Sequence, residues 1–229
     1  MAAWDPKKYE AWYETPLGKP SDRLEQDLVL SMAGVKEGEQ VLDAGCGTGR
    51  YSIALAKEGA KVTGLDASLG MLEWARDKAG RSGLKIDFIQ ADALKIPFPD
   101  GQFDLVLSVC MLCFIRDWRS ALLEMKRVLR PGGRVVIALL NSRSSWALLR
   151  RAKGLFRKSV YNSAEFLSPA AIEAELKRAG FKEIETRTCL FFLPLNSKTY
   201  LSFSGVQERL GRRLFPKAGA FIVTVATKP

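Results

Sequence analysis

The 229-residue chain contains no histidine. That excludes an imidazole as general base or metal ligand, so proton transfer near neutral pH falls to a carboxylate, a tyrosine, a lysine or a thiol. Cysteine is scarce too: Cys46, Cys110, Cys113 and Cys189 are the only four. Cys110 and Cys113 form a C-x-x-C, but no second pair and no histidine completes a zinc site. The pair reads as small buried residues after a strand, the alternative being a thiol site for a soft, metalloid-like substrate. Such sparse usage suits free thiols in a reducing compartment. No run of about 20 apolar residues occurs, which excludes a membrane-spanning helix. The opening Met1-Ala2-Ala3-Trp4-Asp5-Pro6 lacks the basic and apolar regions of a secretion signal, so a cytoplasmic location is expected.

What is present is an ordinary folded composition, 47% apolar and 26% charged, on a length that suits one α/β domain with additions. The informative stretch is Val41-Leu42-Asp43-Ala44-Gly45-Cys46-Gly47-Thr48-Gly49-Arg50. An apolar strand pattern ends in an acid, a tight glycine loop follows, and a helical pattern runs from Tyr51 to Glu58. Glycine in such a loop lets a ligand approach the backbone closely. The spacing is not the dinucleotide fingerprint G-x-G-x-x-G, because Arg50 stands where the third glycine belongs. A second strand, Lys61 to Leu65, ends at Asp66, about 20 residues past the loop, where a carboxylate can accept both hydroxyls of a ribose. A third strand, Lys85 to Gln90, ends in Ala91-Asp92-Ala93, an acid beside a backbone N–H that together can pair an adenine edge. Then follow a turn at Pro97–Gly101, a strand from Phe103 to Ser108, a helix from Leu122 to Leu129, a stop at Arg130-Pro131-Gly132-Gly133 and a strand from Arg134 to Leu140.

The order D-x-G-C-G-T-G, Asp66, Asp92-Ala93, P-F-P-D-G-x-F-D and L-R-P-G-G resembles the class I S-adenosylmethionine-dependent methyltransferases, and most closely their small-molecule branch of quinone and lipid methyltransferases. The resemblance runs motif by motif over residues 40–140 and continues beyond as topology. It implies an α/β fold: a Rossmann-like, seven-stranded, mostly parallel sheet with helices on both faces and a last strand inserted antiparallel between the fifth and sixth. It also implies S-adenosylmethionine as cofactor. The backbone at Gly45, Cys46 and Gly47 would carry the methionine portion, and Asp43 would help orient it. Asp66, with Ala67 beside it, would hold the ribose hydroxyls, and Asp92 and Ala93 the adenine edge. Met71 would cover one adenine face unless it is simply helix core, and Val109 falls where the family contacts the cofactor through its backbone. Missing histidine narrows the mechanism without removing the activity, since methyl transfer from a sulfonium needs mostly alignment and desolvation.

The single domain, residues 1–229, divides into a helical arm at 1–39, the cofactor core at 40–140 and two excursions at 141–164 and 193–219. In the arm, Tyr9, Trp12 and Tyr13 are pocket candidates or ordinary packing, and a helix from Asp22 to Met32 repeats Leu24, Leu28 and Met32 at i, i+4. Cys113 is a further pocket candidate. Ser168 and Pro169 open a helix through Ala179, a strand runs from Glu183 to Phe192, and Ala220–Ala226 reads as a buried closing strand.

The net charge of +10 sits wholly in the excursions: residues 141–164 carry +6 with no acid, residues 196–217 carry +4, and everything else balances. By the resemblance, both emerge near the carboxyl ends of the strands, where open α/β sheets bind ligands, and both are candidates for a lid. On a helical wheel from Trp146, the residues Leu148, Leu149, Ala152, Leu155, Phe156 and Val160 share an arc. Arg150, Arg151, Lys153, Arg157 and Lys158 lie outside it, with Trp146 among them. This reads as peripheral contact of 141–164 with an anionic membrane, or as a helix packed on the core by its apolar face. The function expected is methyl transfer to a small, lipid-like or amphiphilic acceptor, a quinone precursor or a phospholipid headgroup. The alternatives are a soluble-metabolite methyltransferase, an RNA methyltransferase and a non-catalytic cofactor-binding module. Nucleic acid ranks low because the fourth strand is followed by Val109-Cys110-Met111-Leu112, not by an N-P-P-[YFW] signature for flipped bases.

Overall fold

Strands that are apolar on both faces have to be covered on both, and this chain supplies helices for each side. The computed structural model describes residues 5–154 and 164–229. The strands are β1 (Gln40–Ala44), β2 (Lys61–Asp66), β3 (Asp87–Gln90), β4 (Phe103–Val109), β5 (Leu129–Leu140), β6 (Lys182–Cys189) and β7 (Phe221–Thr227). They form one seven-stranded sheet in the order β3-β2-β1-β4-β5-β7-β6. β7 runs antiparallel to both neighbours, with Thr224 opposite Ile137 on one side and Thr186 on the other, and the remaining pairs are parallel. The expected antiparallel insertion is therefore present.

Alternation along β5 shows the layering. Val135, Ile137 and Leu139 pack toward α5 (Trp118–Val128) and α7 (Pro169–Arg178), whereas Val136, Ala138 and Leu140 pack toward α2 (Gly18–Ala33) and α3 (Arg50–Lys57). A smaller cluster joins α4 (Leu69–Arg81) to Phe88 at the β3 edge. The parallel order reverses between β1 and β4, and that switch opens a crevice at the carboxyl ends of these strands.

Several boundaries differ from the sequence reading for local reasons. α5 begins at Trp118, four residues before the expected start, because the Asp117 side chain caps it by accepting from the Ser120 N–H and because Trp118 is buried. The expected stop at Arg130–Gly133 lies inside β5, where Leu129 already pairs with Phe103 and Gly132 and Gly133 bond to Lys228. β6 ends at Cys189, since Leu190 turns into the left-handed region with φ 66°. The second excursion folds as α8 (Lys198–Leu201) and α9 (Ser204–Leu214).

The first excursion corrects the wheel reading. α6 (Ser145–Gly154) turns Trp146 inward, where its indole N–H donates to the Phe192 carbonyl at 2.6 Å, and leaves Leu148 69% exposed. A buried indole N–H needs an acceptor, and Phe192 supplies one, so Trp146 is core and not a membrane anchor. Leu155, Phe156, Arg157, Lys158 and Val160, and the side chains of Ala152 and Lys153, lie outside the described residues. Among the described residues, no helix is long and apolar enough to cross a membrane.

Candidate functional site

The loop after β1 is shaped by β2. The N–H groups of Gly45 and Cys46 both donate to the Leu65 carbonyl, at 2.7 and 3.0 Å. The Asp66 carboxylate accepts from the Gly47 N–H and the Ser68 N–H, each at 2.8 Å. Gly45 and Gly47 sit at φ 77° and 53°, in the left-handed region that side chains avoid. Ser68 in turn caps α4, accepting from the Met71 N–H. The acid at the end of β2 thus sets both the loop and the start of the next helix.

A cavity of about 1330 Å³ opens over this loop. Its wall contains Gly45, Gly47, Asp66, Ala67, Met71, Asp92, Ala93 and Val109, eight of the ten positions the motifs point to. Asp43 and Cys46 do not reach it. Asp43 is 1% exposed behind the loop, where its carboxylate accepts the Ser52 hydroxyl at 2.6 Å. Burial pushes the Asp43 carboxyl up to about 7; the Ser52 hydrogen bond opposes the shift and the Asp66 charge adds to it. Cys46 packs with Leu72, Ala75 and Phe88, so of this residue only the backbone shapes the loop. Asp92 accepts from the Leu94 N–H at 2.9 Å through one oxygen, which fixes its side chain at the cavity edge.

The rest of the cavity wall includes the aromatic and aliphatic side chains of Tyr9, Trp12, Tyr13, Tyr51, Leu140 and Trp146, with Glu25, Arg116 and Arg150 among them. Tyr9 and Tyr13, expected as pocket candidates, both line it, with the Tyr13 hydroxyl 2.7 Å from that of Tyr9. Cys113 does not. It follows the turn after β4 and packs into the core beneath α5, while Cys110 takes the place in the wall. Cys110 and Leu190, both in the wall, hold φ 56° and 66°, strained values for side-chain-bearing residues.

α1 (Pro6–Tyr13) has no buried residue of its own, yet it closes the cavity. Glu10 latches it down, accepting from the Thr48 hydroxyl and pairing with Lys78 at 3.0 Å and Arg50 at 3.5 Å. Burial alone would raise the Glu10 carboxyl, but Thr48, Lys78 and Arg50 together hold it below its ordinary value. Arg50 also pairs with Asp22 and lies 3.7 Å from the centroid of the Tyr13 ring. Arg50, the residue that breaks the dinucleotide fingerprint, is thus the post to which the arm is tied.

Glu25 was missed by the sequence reading. It stands in the cavity wall on α2, half-buried among Tyr13, Tyr51, Cys110 and Arg150. Burial pushes its carboxyl up to about 8; Asp22 adds to the shift, and Arg150 and Arg50 oppose it. The available signal was spacing: Glu25 lies one turn from Ser21 and one turn from Val29, both fully buried, so an acid occupies the inward face of the helix.

A family model described as "Methyltransferase domain" matches residues 42–137. The demethylmenaquinone methyltransferase of Clavibacter sepedonicus is 36% identical over 192 residues, covering 76% of this chain and 78% of that protein. Methyltransferase GfsG of Streptomyces halstedii is 39% identical over 126 residues, 54% of this chain but only 45% of its own length. The chain thus spans less than half of that relative. A SAM-dependent methyltransferase from Thermotoga maritima, whose solved structure is described as that of a possible histamine N-methyltransferase, superposes with a TM-score of 0.74 at 25% identity. It covers 97% of this chain and 95% of that one.

The latch gives a direct test. Glu10→Ala removes a carboxylate that serves three donors and leaves Lys78 and Arg50 facing each other. Loss of such charge-assisted bonds is worth about 1–3 kcal/mol, so trypsin cleavage at Lys7 and Lys8 is expected to quicken about tenfold or more. Cleavage at the parent rate would mean that Glu10 does not hold the arm.

Proposed function

The chain belongs to the class I S-adenosylmethionine-dependent methyltransferases, and from that premise we propose that its acceptor is a small amphiphile, a quinone-type ring carrying an apolar tail. The observation that carries this reading is the cavity. Pockets for one small molecule run to about 300–1,000 Å³, and this one, at about 1330 Å³, has room beyond the cofactor for an acceptor held among aromatic and aliphatic walls. The likeness to a demethylmenaquinone methyltransferase supports it.

The residues present suit S-adenosylmethionine. A Cβ added at Gly47 would have only the Met71 methyl group within 4 Å, so the backbone there is open to a ligand. Gly45 and Gly47 would take the methionine portion, Asp66 with Ala67 the ribose, and Asp92 with Ala93 the adenine edge. Met71 would cover a ring face and Val109 would meet the cofactor through its backbone. In this reading Asp43 and Cys46 act only through the loop they support. When bound, the cofactor supplies an electrophilic sulfonium methyl group.

The chain's own contribution is to align, desolvate and deprotonate. With no histidine to draw on, Glu25 is the proton acceptor in this reading: it faces the cavity on the acceptor side, and its carboxyl titrates near the pH at which a base works best. The aromatic walls exclude water from the acceptor ring, and Tyr9 and Tyr13 offer hydroxyls to orient it. A phospholipid headgroup or a soluble metabolite would use the same loop with a different occupant at the far end.

Two experiments test this. Methyl-labelled S-adenosylmethionine and a boiled extract, partitioned afterwards, are expected to place label in the organic phase. Label in the aqueous small-molecule fraction or in RNA would overturn the acceptor class, and no label in any fraction would favour a binding module. For Glu25, the turnover rate is expected to rise with pH through about 8. Glu25→Gln should abolish that rise and slow turnover by about 100-fold or more. The sign for stability is opposite. A carboxyl whose folded value is raised keeps its proton in the folded state, so parent stability falls as pH climbs from about 4.5 toward about 8, and Glu25→Gln should flatten that fall in thermal melts. A variant with the parent pH–rate profile would remove Glu25 from the chemistry.

A further inference from the structure

α9 shows its apolar side to solvent. Phe203, Val206, Leu210, Leu214 and Phe215 are each between 54% and 65% exposed. On the helix, positions 203, 206, 210 and 214 fall within an arc of about 80° at 100° per residue. A surface stripe of this kind on a folded protein marks a place where something docks.

The helix cannot roll to hide the stripe. Glu208, on the opposite side, is only 4% exposed and accepts from the Leu190 and Phe191 N–H groups at 3.3 and 3.0 Å. Gly211 lies so close to Phe191 that a Cβ there would come within 2.2 Å of its ring. The inward face is therefore committed, and the outward face is apolar by construction.

The charge around the stripe says what covers it. Arg209 and Arg213 line one side of it, Lys217 follows it and Lys198 precedes it, all exposed. Glu208 is the sole acid between residues 193 and 219, and it is turned inward against Arg212. A second copy meeting this face across a two-fold axis would bring like charges together, which is unfavourable. A phosphate-rich strand would match the cations but leave the leucines and phenylalanines without partners. An apolar stripe edged with cations and free of outward acids fits an anionic lipid surface.

We propose that α9, with Phe203 and Phe215 at its ends, docks the protein on anionic membranes. The docking does not depend on which acceptor is methylated. It has a geometric consequence all the same: Leu190, held by Glu208 on the inward face of α9, lines the cavity, so α9 stands between the docked surface and the cavity wall. The surface also differs from the one expected at α6, whose tryptophan is buried.

Sedimentation with sucrose-loaded vesicles tests the proposal on the full chain. The parent is expected to pellet with vesicles of phosphatidylcholine and phosphatidylglycerol and to stay in solution with phosphatidylcholine alone. The double variant Leu210→Glu, Leu214→Glu should lose binding by roughly tenfold or more. Arg209→Gln with Arg213→Gln should weaken it and reduce its salt dependence. Arg151→Glu, on α6, should change it far less. Retained far-UV circular dichroism and cofactor affinity in each variant would show that folding is intact. The proposal is overturned if the parent ignores anionic vesicles, if neutral vesicles bind as well, or if the leucine variant pellets like the parent. It also falls if light scattering finds a lipid-free dimer that the leucine variant dissociates, since the stripe would then be covered by a second copy.

Discussion

The end of β2 holds the loop after β1 through three hydrogen bonds, two to the Leu65 carbonyl and one to the Asp66 carboxylate, whose other oxygen accepts from the Ser68 N–H ahead of α4. Their geometry depends on parallel pairing of β1 with β2, which sets Asp43 beside Gly64 and Ala44 beside Leu65. It depends equally on left-handed backbone at Gly45 and Gly47. A methyl group at Gly45 would drive into Met111, and one at Gly64 would come within 2.6 Å of the Phe88 ring and 3.0 Å of the Cys46 sulfur. The loop end of the cavity is therefore set by the carboxyl ends of two interior strands, where Gly47 leaves its backbone open and the Met111 side chain lies against Gly45.

Around this rigid end the chain adds parts fixed by charge. Glu10 and Arg50 tie α1 to the loop and to α2, and the arm's aromatic side chains then become cavity wall. Arg134 does comparable work at the other end of the sheet, joining the carbonyls of Ala33 and Gly34 to Glu39. Both clamps use one arginine to satisfy several acceptors from separate elements, a task suited to a guanidinium and not to a lysine. Elsewhere the cavity wall sets the Glu25 carboxylate beside Tyr13 and Tyr51.

The cofactor core was legible because its constraints are local. A glycine that must be left-handed, an acid that must end a strand and an alternating apolar run each leave a mark within a few residues, and β1, β2, β4 and β7 fall where those marks put them. Gly45, Gly47, Asp66 and Asp92 reach the cavity for the same reason. Asp43 and Cys46 share the motif but face away, Asp43 toward Ser52 on α3 and Cys46 toward Leu72, Ala75 and Phe88, and a motif does not say which way a side chain turns. Cys113 was misplaced by one turn relative to Cys110. Trp146 was misread because a wheel ranks hydrophobicity and cannot see that the Phe192 carbonyl, 46 residues away, offers the indole a partner. The latch at Glu10 and the turned-out face of α9 were invisible for a related reason: each is decided by a contact with an element distant in sequence.

The first measurement to make is equilibrium binding of S-adenosylhomocysteine to Asp66→Ala, because that carboxylate shapes the loop and, in the proposed reading, would hold the ribose. Calorimetric titration is expected to show affinity at least about 100-fold below the parent, with unchanged far-UV circular dichroism. Parent-like affinity in the folded variant would mean that neither the loop nor the ribose depends on Asp66, and the site as described here would be wrong.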